Sequence, residues 1–171
     1  SVEHMKKKDD FVIDYIEKHP SDSGIIYCST RKNVDNLFEL LFKRGVPVTK
    51  YHAGMNTESR KKSQDDFIYD RTPVIVATNA FGMGIDKSNV RYVIHYNMPQ
   101  SMENYYQEAG RAGRDGEPSQ CILLFSAQDV IINKFLLEKK DFSGLSDEDA
   151  VLVQQRDYKR LQIMEGYCST T

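Results

Sequence analysis

Apolar residues along the chain switch repeatedly between helical spacing and short continuous runs. Phe11, Val12, Tyr15 and Ile16 recur at helical intervals, and Pro20 ends that helix. The run Gly24–Cys28 (GIIYC) then predicts a buried strand. Val34, Leu37, Leu40 and Leu41 lie on one face of a second helix that stops at Gly45. The alternation continues with a strand over Val46–Tyr51, a helix over Thr57–Tyr69 and a strand over Pro73–Thr78. Further on come a strand over Val90–Tyr96, a helix over Ser101–Ala109, a strand over Ser119–Phe125 and a helix over Ala127–Leu137. Strands alternating with helices at this spacing predict an α/β fold: a mostly parallel sheet with helices on both faces.

Asp141–Asp149 (DFSGLSDED) breaks this rhythm. It is acidic, contains Gly144 and lacks periodicity, so it predicts a linker, placed at 141–150 after a domain at 1–140. Beyond it, Val151, Leu152, Tyr158, Leu161 and Met164 predict one more helix within 151–171.

Composition narrows the picture only slightly. A chain of 171 residues, 40% hydrophobic and 28% charged, is long enough for one well-cored domain with an appendage. No apolar run approaches the ~18 residues needed to span a bilayer, and no signal-peptide layout occurs. A cytoplasmic or nuclear protein with no membrane partner is therefore the default expectation. The net charge of −2 argues against gripping nucleic acid through a global basic field, though a local phosphate track remains open. Cys28, Cys121 and Cys168 form no CxxC, so neither a zinc site nor a disulfide framework is readable. Cys28 and Cys121 lie in apolar runs and are expected as small buried hydrophobes.

In such sheets ligands gather beyond the carboxyl ends of the strands, and the loops there carry unusual polar content. Ser29-Thr30-Arg31 opens a helix, where the hydroxyls either cap the helix or help its N–H groups hold an anion. His52-Ala53-Gly54-Met55 combines a histidine that is either structural or ligand-facing with a glycine that permits close backbone approach. Ala77–Lys87 (ATNAFGMGIDK) has Thr78 and Asn79 at its start, glycines at 82 and 84, and Asp86 at its end. Its GxG spacing is weak evidence alone. In Gln107–Gly116 (QEAGRAGRDG), Arg111 and Arg114 are separated only by small residues. Two permanently charged planar forks suit bidentate phosphate binding. The alternative is a turn salt-bridged to Glu108 and Asp115.

Taken in order, these four loops resemble the motifs of the second RecA-like lobe of superfamily 2 helicases, over roughly Phe11–Leu137. Ser29–Arg31 is similar to motif IV, His52–Met55 to the nucleic-acid-contact motif that follows, Ala77–Asp86 to motif V and Gln107–Gly116 to motif VI. The wording ATNAFGMGIDKSNVRYVIHYNMP, followed by SMENYYQEAGRAGRDG, resembles the RecQ family of DNA helicases. DEAD-box RNA helicases share the plan but usually place HRIGR where Gln107–Arg111 stand, which favours a DNA motor over an RNA motor.

The resemblance implies a 3′→5′ DNA helicase acting in DNA repair and recombination, with ATP and Mg²⁺ bound between two lobes. Arg111 and Arg114 would act as arginine fingers. Gln107 would couple nucleotide to DNA, and Gly84 and Asp86 would belong to the nucleotide site. Ser29, Thr30, Arg31, His52, Ala53, Gly54, Met55, Thr78 and Asn79 would track single-stranded DNA. The phosphate loop and metal-binding box of the family lie on the first lobe, and neither occurs in this chain. This chain alone is therefore expected neither to hydrolyse ATP nor to unwind DNA, and the first lobe is its expected intramolecular partner. The resemblance also implies that residues 151–171 begin a helical module that binds Zn²⁺ further on, with Cys168 not a ligand. A non-catalytic nucleic-acid-binding module and a lobe of an RNA helicase are the competing readings.

Overall fold

A computed structural model describes residues 2–78, 87–99, 102–125, 152–157 and 161–167 of the chain. The elements run α1 (Val2–Lys18), β1 (Ser23–Tyr27), α2 (Arg31–Lys43), β2 (Val48–Tyr51), α3 (Thr57–Ile68), β3 (Val74–Ala77), β4 (Val90–His95), α4 (Met102–Ala109), β5 (Gln120–Phe125), β6 (Leu152–Asp157) and β7 (Leu161–Tyr167). They form one seven-stranded sheet in the order β2-β3-β1-β4-β5-β7-β6. The first five strands are parallel, as the alternating pattern predicts, and β7 and β6 add antiparallel strands at one edge.

Strand alternation divides the core into two layers. Ile26, Val76, Ile94 and Ile122 face one way and pack with Phe11, Val12 and Ile16 of α1 and Val34, Leu37 and Leu41 of α2. Ile25, Ile75, Val93 and Leu123 face the other way and pack with Phe67 of α3 and Tyr105 and Ala109 of α4. Strands β1, β3, β4 and β5 are buried on both faces, which explains why they read as continuous apolar runs, whereas β2 at the sheet edge is half-buried throughout. Strand β2 starts later than its apolar run, at Val48, because Pro47 has no N–H to donate to a ladder. Helix α1 starts well before Phe11, since the charged residues ahead of it continue the same helix.

The helix expected within 151–171 is corrected: Leu152–Asp157 and Leu161–Tyr167 are instead the paired antiparallel strands β6 and β7. Leu161, Ile163, Glu165 and Tyr167 alternate with Gln162, Met164 and Gly166, and short apolar stretches of this kind fit either period. What decides is the edge of β5, whose ladder from Gln120 to Phe125 is completed by β7. The expected helix at 127–137 and linker at 141–150 lie outside the described residues. Cys28 is a buried free thiol whose pKa burial pushes up. Cys121 is equally buried but disulfide-bonded, which the sequence spacing did not reveal.

Candidate nucleotide and nucleic-acid interface

Strand β1 is the centre of the parallel sheet, and its neighbour β4 leads the chain the opposite way. Their carboxyl ends form the switch point where crevices open. Tyr27 and His95, the last residues of these strands, pair in register.

At this rim the candidate contacts are only partly free. Thr30 is the N-cap of α2, its hydroxyl accepting from the Asn33 N–H at 3.1 Å. The Ser29 N–H donates to Asn97 Oδ1 at 2.8 Å, and the same oxygen accepts from Asn33 Nδ2 at 3.3 Å. Asn97 thus ties the β4 loop to the start of α2, a role the sequence reading missed. Ser29, Thr30 and Arg31 all remain exposed to solvent.

His52 is buried and both of its ring nitrogens are engaged. Nε2 donates to Asp35 Oδ1 at 2.9 Å, and Nδ1 accepts from the Gly54 N–H at 3.0 Å. An Nδ1 that accepts carries no proton, so the ring is the Nε2–H tautomer. Lys50 donates to the same Asp35 oxygen at 2.9 Å. These two bonds, Lys50's first, hold the Asp35 carboxyl below its usual range. His52 therefore shapes the turn, leaving exposed Ala53 and Gly54 and half-buried Met55 as the outward surface. A Cβ on Gly54 would sit 3.0 Å from His52 Cε1 and 3.4 Å from Arg31 Cδ, so this glycine lets the two loops meet. Thr78 is buried beside them, its N–H donating to the Tyr51 carbonyl at 3.2 Å. Asn79, Gly84 and Asp86 lie outside the described residues.

The arginine-bearing turn follows α4. Gly110 N–H donates to the Tyr106 carbonyl, Arg111 N–H to Glu108 and Ala112 N–H to Ala109, so the turn prolongs the helix. It is then tied to the amino end of β4 by Gly113 N–H on the Val90 carbonyl at 2.8 Å and Asp115 N–H on Ser88 at 3.0 Å. Arg91 clasps the far side, donating to Asp115 Oδ1 and to the Pro118 carbonyl. The arginine turn is thus fixed between the end of α4 and the amino end of β4.

The structure separates the two readings of this turn. Glu108 is taken by His95, whose Nε2 donates to Oε1 at 3.0 Å, and Asp115 is taken by Arg91. Arg114 Nε donates only to the Gly110 carbonyl at 3.2 Å. Among the described residues neither Arg111 nor Arg114 has an ion pair, and Arg111 Nε is buried without an acceptor. Glu108 and Asp115 therefore do not pair with Arg111 or Arg114, because both acids are engaged by other donors. Burial drives the pKa of Tyr27 far up, with the Glu108 charge adding to it and Arg111 and Arg114 opposing. Tyr27 thus lies within reach of the charges of Glu108, Arg111 and Arg114. Gln107 is exposed on α4. Two unneutralised guanidinium groups, one with a buried and unsatisfied N–H, fit a polyphosphate such as that of ATP. For a metal there is no such fit: among the described residues no group of three or more His, Cys, Asp or Glu is placed to hold one.

Comparison with known proteins shows the family and the fold. The helicase conserved C-terminal domain matches residues 7–116. The ATP-dependent DNA helicase RecQ of Bacillus subtilis is 44% identical over 165 residues, covering 96% of this chain and 27% of the relative. That of Haemophilus influenzae is 51% identical over 120 residues, covering 70% of this chain and 19% of the relative. This chain thus spans about a quarter or less of these relatives' length. Among solved structures, Saccharomyces cerevisiae Dbp5 bound to RNA and ADP BeF3 superposes with a TM-score of 0.73 at 26% identity, over 83% of this chain and 38% of Dbp5. The C-terminal domain of the DEAD-box protein Dbp5 alone gives 0.69, over 79% and 78%. The expected fold, the RecA-like second lobe, is confirmed by these superpositions, and the chain belongs to the helicase conserved C-terminal domain family as a RecQ-like member.

Proposed function

We propose that this lobe is the second motor lobe of an ATP-dependent DNA helicase with 3′→5′ polarity, acting in DNA repair and recombination. Its Arg111 and Arg114 would reach the ATP phosphates held by a first lobe. The observation that carries this reading is the unpaired state of both guanidinium groups, each spared by an acid bound elsewhere. Charge that develops on the γ-phosphoryl group in the transition state is stabilised by such preorganised cations. Gln107, exposed on the same helix, would link nucleotide to DNA, and Gly84 and Asp86 would complete the nucleotide site. Mg²⁺ would be held with the phosphates by the first lobe, and Zn²⁺ by a module outside this chain.

The rim would follow the backbone of one DNA strand. Arg31, the exposed backbone of Ala53–Gly54 and Met55 are its free surface among the described residues, with Ser29, Thr30 and His52 shaping it; Thr78 and Asn79 would add the contacts that follow β3. Contacts of this kind position a strand without reading its sequence. ATP would close the lobes and hydrolysis reopen them, so that the strand contacts alternate. Localisation with the bacterial nucleoid in the cytoplasm follows from the same reading. DNA is the expected track because this chain has Gln107–Arg111 where RNA helicases of the DEAD-box type usually have HRIGR.

Arg114→Ala in the full-length enzyme tests the assignment. Turnover of ATP is expected to fall ~10³-fold or more, while affinity for single-stranded DNA stays within about twofold. Normal turnover would remove the arginine-finger role. Stimulation of the parent enzyme by DNA and by RNA of one sequence separates the two motor readings, with DNA expected to be the stronger activator.

A further inference from the structure

Glu108 and Arg111 lie three residues apart on a continuous helical turn, with the Arg111 N–H donating to the Glu108 carbonyl at 3.2 Å. Opposite charges at this spacing ordinarily meet across the helix surface. Here they do not: no ion pair joins them, and the Glu108 carboxylate is instead drawn inward to His95. The imidazole is 1% exposed and is held in place by rings on two sides. Tyr27 stacks on it at 5.4 Å and 23°, and Tyr105 lies at 5.0 Å and 39°. Both the Glu108 and Arg111 charges act on the one Tyr27 hydroxyl, so the two groups share a neighbourhood even though they do not bond.

We propose that His95 is a positioning residue that keeps Arg111 available to an anion: its buried imidazole holds the Glu108 carboxylate, which would otherwise neutralise Arg111. This rests on the arginine-finger reading above. Glu108 places a negative charge one helical turn from a cation whose task is to meet phosphate. A guanidinium already closed on a carboxylate offers its fork to nothing else. The His95 bond resolves that conflict by giving the carboxylate a buried donor. Asp115 and Arg91 do the same for Arg114 on the other side of the turn.

A rescue series in the full-length enzyme distinguishes this from simple packing. His95→Leu removes the donor and leaves Glu108 to turn to Arg111. Its kcat for ATP is expected to fall about tenfold or more, with KM changing less. Glu108→Gln alone is expected to stay within about threefold of the parent, because an amide can still accept from His95 and cannot neutralise Arg111. The double variant His95→Leu/Glu108→Gln is expected to regain turnover to within about threefold of the parent. If His95 serves packing alone, the double variant will be no better than His95→Leu, and that result overturns the proposal. So does a Glu108→Gln enzyme as impaired as His95→Leu. Should His95→Leu fail to fold, His95→Gln and His95→Met make the same comparison, one keeping a donor towards Glu108 and the other not. An Arg111→Ala enzyme with normal turnover would refute the finger reading itself. A dead Arg111→Ala enzyme without rescue in the double variant would refute only the present inference.

Discussion

Gly113 shows how tightly the arginine turn is specified. Its φ of +64° lies in the left-handed region, and a Cβ there would stand 2.4 Å from Ser119 Oγ. Gly110 is constrained too, since a Cβ would meet the Tyr106 carbonyl at 2.9 Å, and Ala112 between them is buried. Gly113→Ala is expected to destabilise the lobe by about 1–3 kcal/mol, from the strained backbone and the displaced serine. Chemical denaturation of the purified protein measures this, and an unchanged midpoint would mean that the turn relaxes freely. The small residues between Arg111 and Arg114 were legible in the sequence because charge interrupted by glycine and alanine has no purpose on a solvated surface. The partners of those arginines' acidic neighbours were not. His95 reads as one polar residue in an apolar strand, and Asn97 as an ordinary loop residue. The role of Asn97 depends on β1 and β4 being adjacent, and that of His95 on how α4 folds back over β4, which no local pattern states.

At the scale of elements, the α3–β3 and β3–β4 connections are joined by one buried cation. Lys87 is 2% exposed at its side chain and donates to Asp70 Oδ1 at 2.6 Å and to the Ile68 carbonyl at 3.4 Å, with its ammonium over the Phe67 ring. Asp70 sits just past α3 with φ +59°, a conformation that aspartate tolerates better than most residues. The Lys87 hydrogen bond holds the Asp70 pKa below its usual value. Between the folded and unfolded pKa values the unfolded chain binds more protons, so stability there rises with pH. The contribution is complete above about pH 4 and fades as pH falls through the lower, folded value. Asp70→Asn is expected to flatten the acid side of the stability curve. It is also expected to cost about 1–2 kcal/mol near neutral pH, because the buried ammonium loses a counter-charge that is itself largely solvent-screened. Denaturation series at pH 3 and pH 7 would show this as a mutational penalty that shrinks in acid; an equal penalty at both would place the effect elsewhere. The parallel strands and their flanking helices were legible because burial on both faces produces unbroken apolar runs. The β6–β7 pair was not, because its pairing depends on the exposed edge of β5 rather than on its own period.

The molecule as a whole carries 23 lysines and arginines against 25 acids, so any affinity for nucleic acid must be local. Among the described residues the rim offers Arg31, the exposed turn at Ala53–Gly54 and the ends of α2 and β3, enough to meet a few phosphates. Neutralising about three or four phosphates of a single strand gives a slope of log K against log salt of about −2 to −3. That is too shallow a dependence, on too few contacts, for tight binding by this lobe alone. Binding of single-stranded DNA by the isolated chain is therefore expected to be weaker than about 1 μM at physiological salt. Titration of a labelled oligonucleotide at several salt concentrations measures both quantities. A submicromolar affinity with a steep slope would favour a self-sufficient binding module over half of a motor. Weak, shallow binding fits a lobe whose two arginines and rim loops act only when a partner lobe presents ATP and the other side of the track. The same logic explains why the chain keeps so many acids near its cations: Glu108 and Asp115 are not neutralising the arginine turn but are held away from it by His95 and Arg91. The near-zero net charge and the uncompensated arginine pair are then compatible, because pairing elsewhere is what leaves these two cations free.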